Sequence, residues 1–197
     1  MKQQRTARVR RTTSETDISV RLLVDGGGLA RIRTGIGFMD HMLGLLAHHA
    51  MFDLAVSAKG DLHVDDHHTV EDLGLVLGTA LNEALGDRKG IRRYGWALVP
   101  MDESLGEAAV DLGGRPYLVL EAGLRRKKAG SFDLGLVREF LRAFTVQGRM
   151  ALHLELRRGD EPHHAYEALF KAMARALREA CSPDSLRRGV PSSKGKI

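Results

Sequence analysis

The chain has 197 residues and a mass of 21.7 kDa, enough for one compact domain or two small ones with a substantial hydrophobic core, so a miniprotein that depends on staples is excluded. Hydrophobic residues make up 43% and charged residues 28%, a globular composition, and no apolar run approaches the roughly 18 residues of a membrane span. Lys and Arg outnumber Asp and Glu by 30 to 25, for a net charge of +5. That excess suits nucleic acid or a phosphorylated small molecule, but the ten aromatics (six Phe, three Tyr, one Trp) are not interleaved with basic residues as on a single-strand platform, which disfavours nucleic acid. A lone cysteine, Cys181, forms no intrachain disulfide, and Met1-Lys2-Gln3-Gln4-Arg5 leads into no apolar signal segment, so a cytoplasmic setting is expected.

From Arg5 to Thr34 the text alternates, with Ile18, Val20, Leu22 and Val24 on one face and Gly26-Gly27-Gly28 as a turn before Leu29 to Ile32, which predicts an antiparallel sheet. Phe38 to Met51 carries Met39, Met42, Leu43, Leu46 and Ala50 at helical spacing, and Leu54, Val56 and Ala58 return to strand alternation. A second helix is predicted from about His67 to Leu85, with Val70, Leu73, Leu77, Ala80, Leu81 and Ala84 on its apolar face. After a boundary at Gly86 to Arg93 come strand-like runs at Trp96 to Met101, Glu107 to Leu112 and Tyr117 to Glu121. Helix, strand and helix follow at roughly Asp133 to Gln147, Ala151 to Arg157 and His163 to Cys181, and Ser182 to Ile197 reads as loop.

That order repeats. His67-His68-Thr69-Val70-Glu71 returns 96 residues on as His163-His164-Ala165-Tyr166-Glu167, and both helices close on similar text, Ala80-Leu81-Asn82-Glu83-Ala84-Leu85 against Ala176-Leu177-Arg178-Glu179-Ala180-Cys181. Asp40-His41-Met42-Leu43 matches Arg138-Glu139-Phe140-Leu141 at an offset of 98, so His41 and Glu139 hold equivalent helical positions. The expected fold is α+β: two half-domains, 1–90 and 91–181, each in βββαβα order with helices on one face of a small sheet, related by a pseudo-twofold, then a tail, 182–197.

Side chains four apart share a helix face, so His67 with Glu71, and His163 with Glu167, can each offer a nitrogen and an oxygen to one metal. Adjacent histidines diverge by about 100° around the helix, so each His-His pair is expected to serve two ions. With His41 and Glu139 the inventory is five His and three Glu, enough for two sites of four protein ligands. Packing gives no reason for two adjacent histidines and a carboxylate, repeated where a core helix wants leucine, and a donor set without thiolate points to Mn, Fe, Co, Ni or Zn. By contrast His48 and His153 read as ordinary satisfied or solvated residues. Asp61, Asp65 and Asp66 beside His63 either orient ligand imidazoles or form a solvated acidic turn, and Thr34-Gly35-Ile36-Gly37 lacks the lysine of a phosphate loop and reads as a turn. Arg92, Arg93, Arg115 and Ser192-Ser193-Lys194-Gly195 are separate basic spots that together can clamp a phosphate.

Phe38-Met39-Asp40-His41-Met42-Leu43, Asp65-Asp66-His67-His68-Thr69-Val70-Glu71-Asp72, Met101-Asp102-Glu103, His163-His164 with Glu167, Phe170-Lys171-Ala172 and Pro191-Ser192-Ser193-Lys194-Gly195 resemble the imidazoleglycerol-phosphate dehydratase family over essentially the whole chain. The resemblance implies the step of histidine biosynthesis in which imidazole glycerol phosphate loses water to give imidazole acetol phosphate. It also implies two manganese(II) ions per site and a homo-oligomer of twenty-four subunits built from trimers, with sites between subunits. By position, one ion would take His41, His68, His163 and Glu167, and the other His67, Glu71, Glu139 and His164; Glu139 stands where some members have histidine. Substrate contacts would fall to Glu15, His41 and His49, and to Arg93, Arg115, Ser193 and Lys194 around the phosphate. Removing a proton from a carbon without an adjacent carbonyl requires charge to move into the imidazole ring, which two Lewis acids on its nitrogens would permit. Glu15 is the expected proton-transfer group and His49 its orienting or acid/base partner. The rival readings are a dinuclear metallohydrolase, in which the same donors activate water, and a metal-assembled storage or structural protein.

Overall fold

The computed structural model describes residues 4–125 and 127–197. Met1–Gln3, part of the stretch searched for a signal segment, lie outside them. The elements run β1 (Thr6–Thr12), β2 (Thr16–Leu23), β3 (Ala30–Arg33), α1 (Gly37–Ala50), β4 (Asp53–Gly60), α2 (His67–Leu85), β5 (Tyr94–Met101), β6 (Ser104–Asp111), β7 (Tyr117–Glu121), β8 (Lys128–Ala129), β9 (Phe132–Asp133), α3 (Gly135–Gly148), β10 (Ala151–Arg158) and α4 (Pro162–Cys181). The architecture is α+β, and no helix among the described residues is long and apolar enough to cross a membrane.

Two four-stranded sheets have matching strand orders, β1-β2-β4-β3 and β5-β6-β10-β7. Both are mixed: β3 runs parallel to β4 and β7 parallel to β10, with the other pairs antiparallel. This corrects the expectation that the stretch from Arg5 to Thr34 forms an antiparallel sheet by itself. The Gly26-Gly27-Gly28 segment does not return β3 alongside β2. Asp53 Oδ1 accepts the Gly27 and Leu29 amide protons at 2.7 and 3.0 Å, tying the loop to the start of β4 and delivering β3 to the far side of that strand. The short β8–β9 hairpin was not expected either, since two-residue strands carry no readable period.

Strand alternation buries one face of each sheet: Ile18, Val20 and Leu22 on β2, Ala108 and Val110 on β6. Helix α2 rests on β1 and β2, and α4 on β5 and β6, while α3 packs across α2 and α1 across α4. Each sheet thus carries its own second helix, but the crossings join the two halves, and one hydrophobic cluster draws on both. Glycine permits the α2–α3 crossing: a Cβ on Gly74 would lie 2.8 Å from Ala143 Cβ and closer still to the Phe140 carbonyl oxygen. Helices α1 and α3 end alike, on Met51 and Arg149 in the left-handed region (φ 58° and 48°), with Phe52 N donating to Ala47 O and Met150 N to Thr145 O.

Candidate metal centre

Every histidine of the repeated motifs lies near the start of its helix. Pro162 opens α4, and Glu161 caps it by accepting the His164 amide proton at 2.7 Å. His163 and Glu167, one turn apart on α4, meet His41 from α1: His41 Nε2 lies 3.2 Å and His163 Nε2 3.4 Å from the same oxygen, Glu167 Oε2. The two rings stack at 5.2 Å. Donor atoms of these three residues all fall within 4.8 Å of one another, the one such grouping among the described residues. Two imidazole nitrogens and a carboxylate oxygen at this spacing suit a divalent transition metal. Burial pushes the Glu167 carboxyl up, but hydrogen bonds from Lys171 (2.6 Å) and His41 outweigh it and keep the group ionised below its ordinary range.

The corresponding pair on α2 is His67 with Glu71, 3.7 Å apart. Glu139 holds on α3 the place that His41 holds on α1, beside Phe140 at the Gly74 crossing, but no ion pair joins it to His67 among the described residues.

His68 and His164 are held differently. His68 Nδ1 sits 3.0 Å from Asp61 Oδ2, and His164 Nδ1 2.9 Å from Glu103 Oε2. An ionised carboxylate only accepts, so in each ring Nδ1 carries the proton and the Nε2 lone pair is free to ligate. The pairs polarise each other. Hydrogen bonds from His164 and then Ser104 hold the Glu103 carboxyl down at about 2, the bond to Glu103 raises His164, and Asp61 and His68 shift in the same senses. Asp61 thus takes the orienting alternative rather than that of a solvated turn. Glu103 was legible only as part of a motif, without a role. Its signal was the two-residue gap between β5 and β6, which turns it toward the start of α4.

Glu15 lies exposed in the β1–β2 turn, its Oε1 3.9 Å from His68 Nε2. His49 lies near the end of α1, two turns beyond His41. Burial first, then the charges of His48, Lys171 and Arg175, lower its pKa and favour the neutral ring.

The basic residues gather elsewhere. Arg93, at φ 74°, makes a paired contact with Asp111 (2.6 and 3.1 Å) and donates to Pro191 O at 2.8 Å, which ties the tail to the start of β5. Ile197 at the chain end packs on Gly114, next to the exposed Arg115, and Ser193 and Lys194 are exposed between. Arg93 N donates to Ala180 O near the end of α4, whereas His163 stands at its start. A 20-residue helix is about 30 Å long, so within one chain this basic cluster and the cluster of His41, His163 and Glu167 lie at opposite ends of α4.

The model of the imidazoleglycerol-phosphate dehydratase family matches residues 34–177, a span that includes His41, Glu139 and both His-His-x-x-Glu motifs. The chain belongs to that family. The imidazoleglycerol-phosphate dehydratase of Acidiphilium cryptum is 56% identical over 98% of this chain and 99% of its own length, and that of Citrifermentans bemidjiense 54% identical over 98% and 99%. The crystal structure of the Staphylococcus aureus dehydratase superposes with a TM-score of 0.82 at 40% identity, covering 91% of this chain and 99% of that one. IGPD from Pyrococcus furiosus, solved in complex with (S)-C348, gives 0.84 at 35% identity, covering 96% and 100%. Membership makes the chain a hydro-lyase of histidine biosynthesis and accounts for its α+β fold.

Proposed function

We propose that this hydro-lyase dehydrates imidazole glycerol phosphate to imidazole acetol phosphate with two divalent ions per site, manganese foremost, held by His41, His68, His163 and Glu167 on one side and His67, Glu71, Glu139 and His164 on the other. The observation that carries the reading is the donor set: His41, His163 and Glu167 converge within 4.8 Å, while Asp61 and Glu103 turn His68 and His164 so that a ligating nitrogen faces outward. When bound, the ions supply Lewis-acid withdrawal of charge from the substrate's imidazole. Glu15 takes the proton from the reacting carbon, and its exposure beside His68 leaves the carboxylate free for that task. His49, kept neutral by burial, orients the substrate or exchanges a proton with it. Arg93, Arg115, Ser193 and Lys194 grip the phosphate through charge-assisted hydrogen bonds, and Arg93 also secures the tail that brings two of them.

A working site needs more than one chain, because the two clusters at opposite ends of α4 are too far apart for one small substrate. The outer sheet faces support self-association. Paired rows on the first sheet present Arg8, Arg21 and Arg31, then Arg10 and Arg33. The second sheet presents exposed Tyr94, Trp96, Leu98 and Tyr117 beside Glu107, Glu121 and Glu155. A basic face meeting an aromatic and acidic one on the next copy is a heterologous contact, the type that builds a ring when its rotation closes, as the trimers of the proposed 24-mer require. This oligomer is proposed to work in the cytoplasm.

The test is turnover of imidazole glycerol phosphate by protein stripped with chelator and reloaded with Mn2+, with particle mass measured in both states. Activity that returns with the ion, without hydrolysis of phosphate esters or amides, is the expected result. Hydrolysis instead would favour the metallohydrolase, and assembly without any chemistry the structural protein.

A further inference from the structure

The hairpins β1–β2 and β5–β6 share one register. Thr6 pairs with Leu23 and Tyr94 with Asp111, each residue of the second pair lying 88 positions after its counterpart. The turn residues correspond under the same shift: Glu15 matches Glu103, and Thr16 matches Ser104. Both glutamates therefore project from the same corner of their half toward the second histidine of the helical motif, His68 and His164.

Their surroundings differ. In the first half Asp61 occupies His68 Nδ1, and Thr16 Oγ1 donates to the buried Asp72 of α2 at 2.5 Å, so among the described residues the contact of the Glu15 carboxylate is with His68 Nε2 of α2, at 3.9 Å. In the second half the residue 96 positions after Asp72 is Ala168, which has no acceptor, and Ser104 Oγ donates to Glu103 Oε1 at 2.8 Å instead. The opposite oxygen of Glu103 then takes His164 Nδ1. The loop acid Glu161 is already committed to the His164 amide.

We propose that Glu103 is a positioning residue that fixes His164 with Nε2 outward for a metal, the task that Asp61 performs for His68. The duplicated turn has thereby divided its work, with Glu103 fixing a ligand and Glu15 left free for proton transfer. The inference rests on the reading of His164 as a ligand and of Glu15 as the proton-transfer group.

The test measures Mn2+ binding to the full-length, chelator-stripped chain from the electron paramagnetic resonance signal of the free ion, alongside kcat and KM at increasing Mn2+. Glu103→Ala should weaken one class of Mn2+ site by roughly 10- to 100-fold, with kcat returning at saturating Mn2+ and KM for substrate near its original value. Glu15→Gln should do the reverse, binding Mn2+ as the wild type does while kcat falls. His164→Ala is the reference. If it keeps the full complement of Mn2+, the ligand reading fails; if it loses an ion while Glu103→Ala binds normally, the role given to Glu103 is overturned. Loss of kcat in Glu103→Ala at saturating Mn2+ with undiminished affinity would also overturn it, by making Glu103 part of the chemistry. Should Glu103→Ala not fold, Glu103→Gln decides: its amide oxygen still accepts the Nδ1 proton without charge, so a smaller loss of affinity is expected, and none would refute the role.

Discussion

Replacing Gly74 with alanine tests the α2–α3 crossing, which sets the helix of His67 and Glu71 against that of Glu139. The new methyl carbon would lie 2.8 Å from Ala143 Cβ, with the Phe140 carbonyl closer, whereas ordinary contact begins at 3.4 Å, so α2 and α3 must part by at least about 0.6 Å. Overpacking of this kind costs about 1–3 kcal/mol, and the gain from placing alanine in a helix returns only about 0.5–1 kcal/mol of it. A net loss of about 1–2 kcal/mol should lower Tm by roughly 2–8 °C for a chain of this size. Gly44 on α1 is the matched control, because a Cβ there meets nothing within 4 Å. Gly44→Ala should leave Tm unchanged or raise it by about 1–4 °C. Both are to be read by calorimetry at fixed protein and Mn2+ concentration, since each shifts Tm by mass action. Glu71 lies one turn before Gly74, and Glu139 just before Phe140, so Gly74→Ala should also weaken Mn2+ binding. A Gly74→Ala protein that melts at or above the wild-type temperature would refute the tight crossing.

Other outcomes follow from the site and the core. His67→Ala or His163→Ala should lower activity by orders of magnitude and reduce the ions counted per chain by metal analysis; full occupancy with normal activity would contradict the ligand assignment. Lys194→Ala and Arg115→Ala should cut kcat/KM roughly ten- to hundredfold while metal content stays intact, and no loss in either would make both ordinary surface charges. Glu15→Gln should keep fold and metal yet fail to exchange solvent deuterium at the reacting carbon, and near-normal turnover would pass the proton to another group, His49 first. Burial pushes the Cys181 thiol from 9.0 up to about 12, so it should resist alkylation at pH 8 until the chain unfolds. The unfolded thiol ionises near 9.0 and the folded one does not, so stability is lost as pH rises from about 9 toward 12, and Cys181→Ala should show a shallower fall in Tm over that range.

Much of this protein was readable locally. The helix from His67 to Leu85 coincides with α2, and that from His163 to Cys181 starts one residue inside α4, because a 3.6-residue period of apolar side chains leaves its mark within a few turns. The same local rule put His163 with Glu167 and His67 with Glu71 on shared faces, and exposed the repeat that paired His41 with Glu139. What lay beyond it depended on where distant segments meet. His41 reaches Glu167 across 126 residues, and Glu103 reaches His164 across 61. The parallel course of β3 was hidden because the side-chain alternation of a strand is the same whichever neighbour it pairs with; the Asp53 carboxylate that decides it lies 24 residues from Leu29. The contacts of Arg93 with Asp111 and Pro191 were hidden for the same reason, since these residues become neighbours only in the folded chain. Periodicity is set by backbone geometry and survives in one dimension, whereas the partner of a charge or a ring nitrogen is chosen by three-dimensional proximity, which the chain acquires only when its core closes.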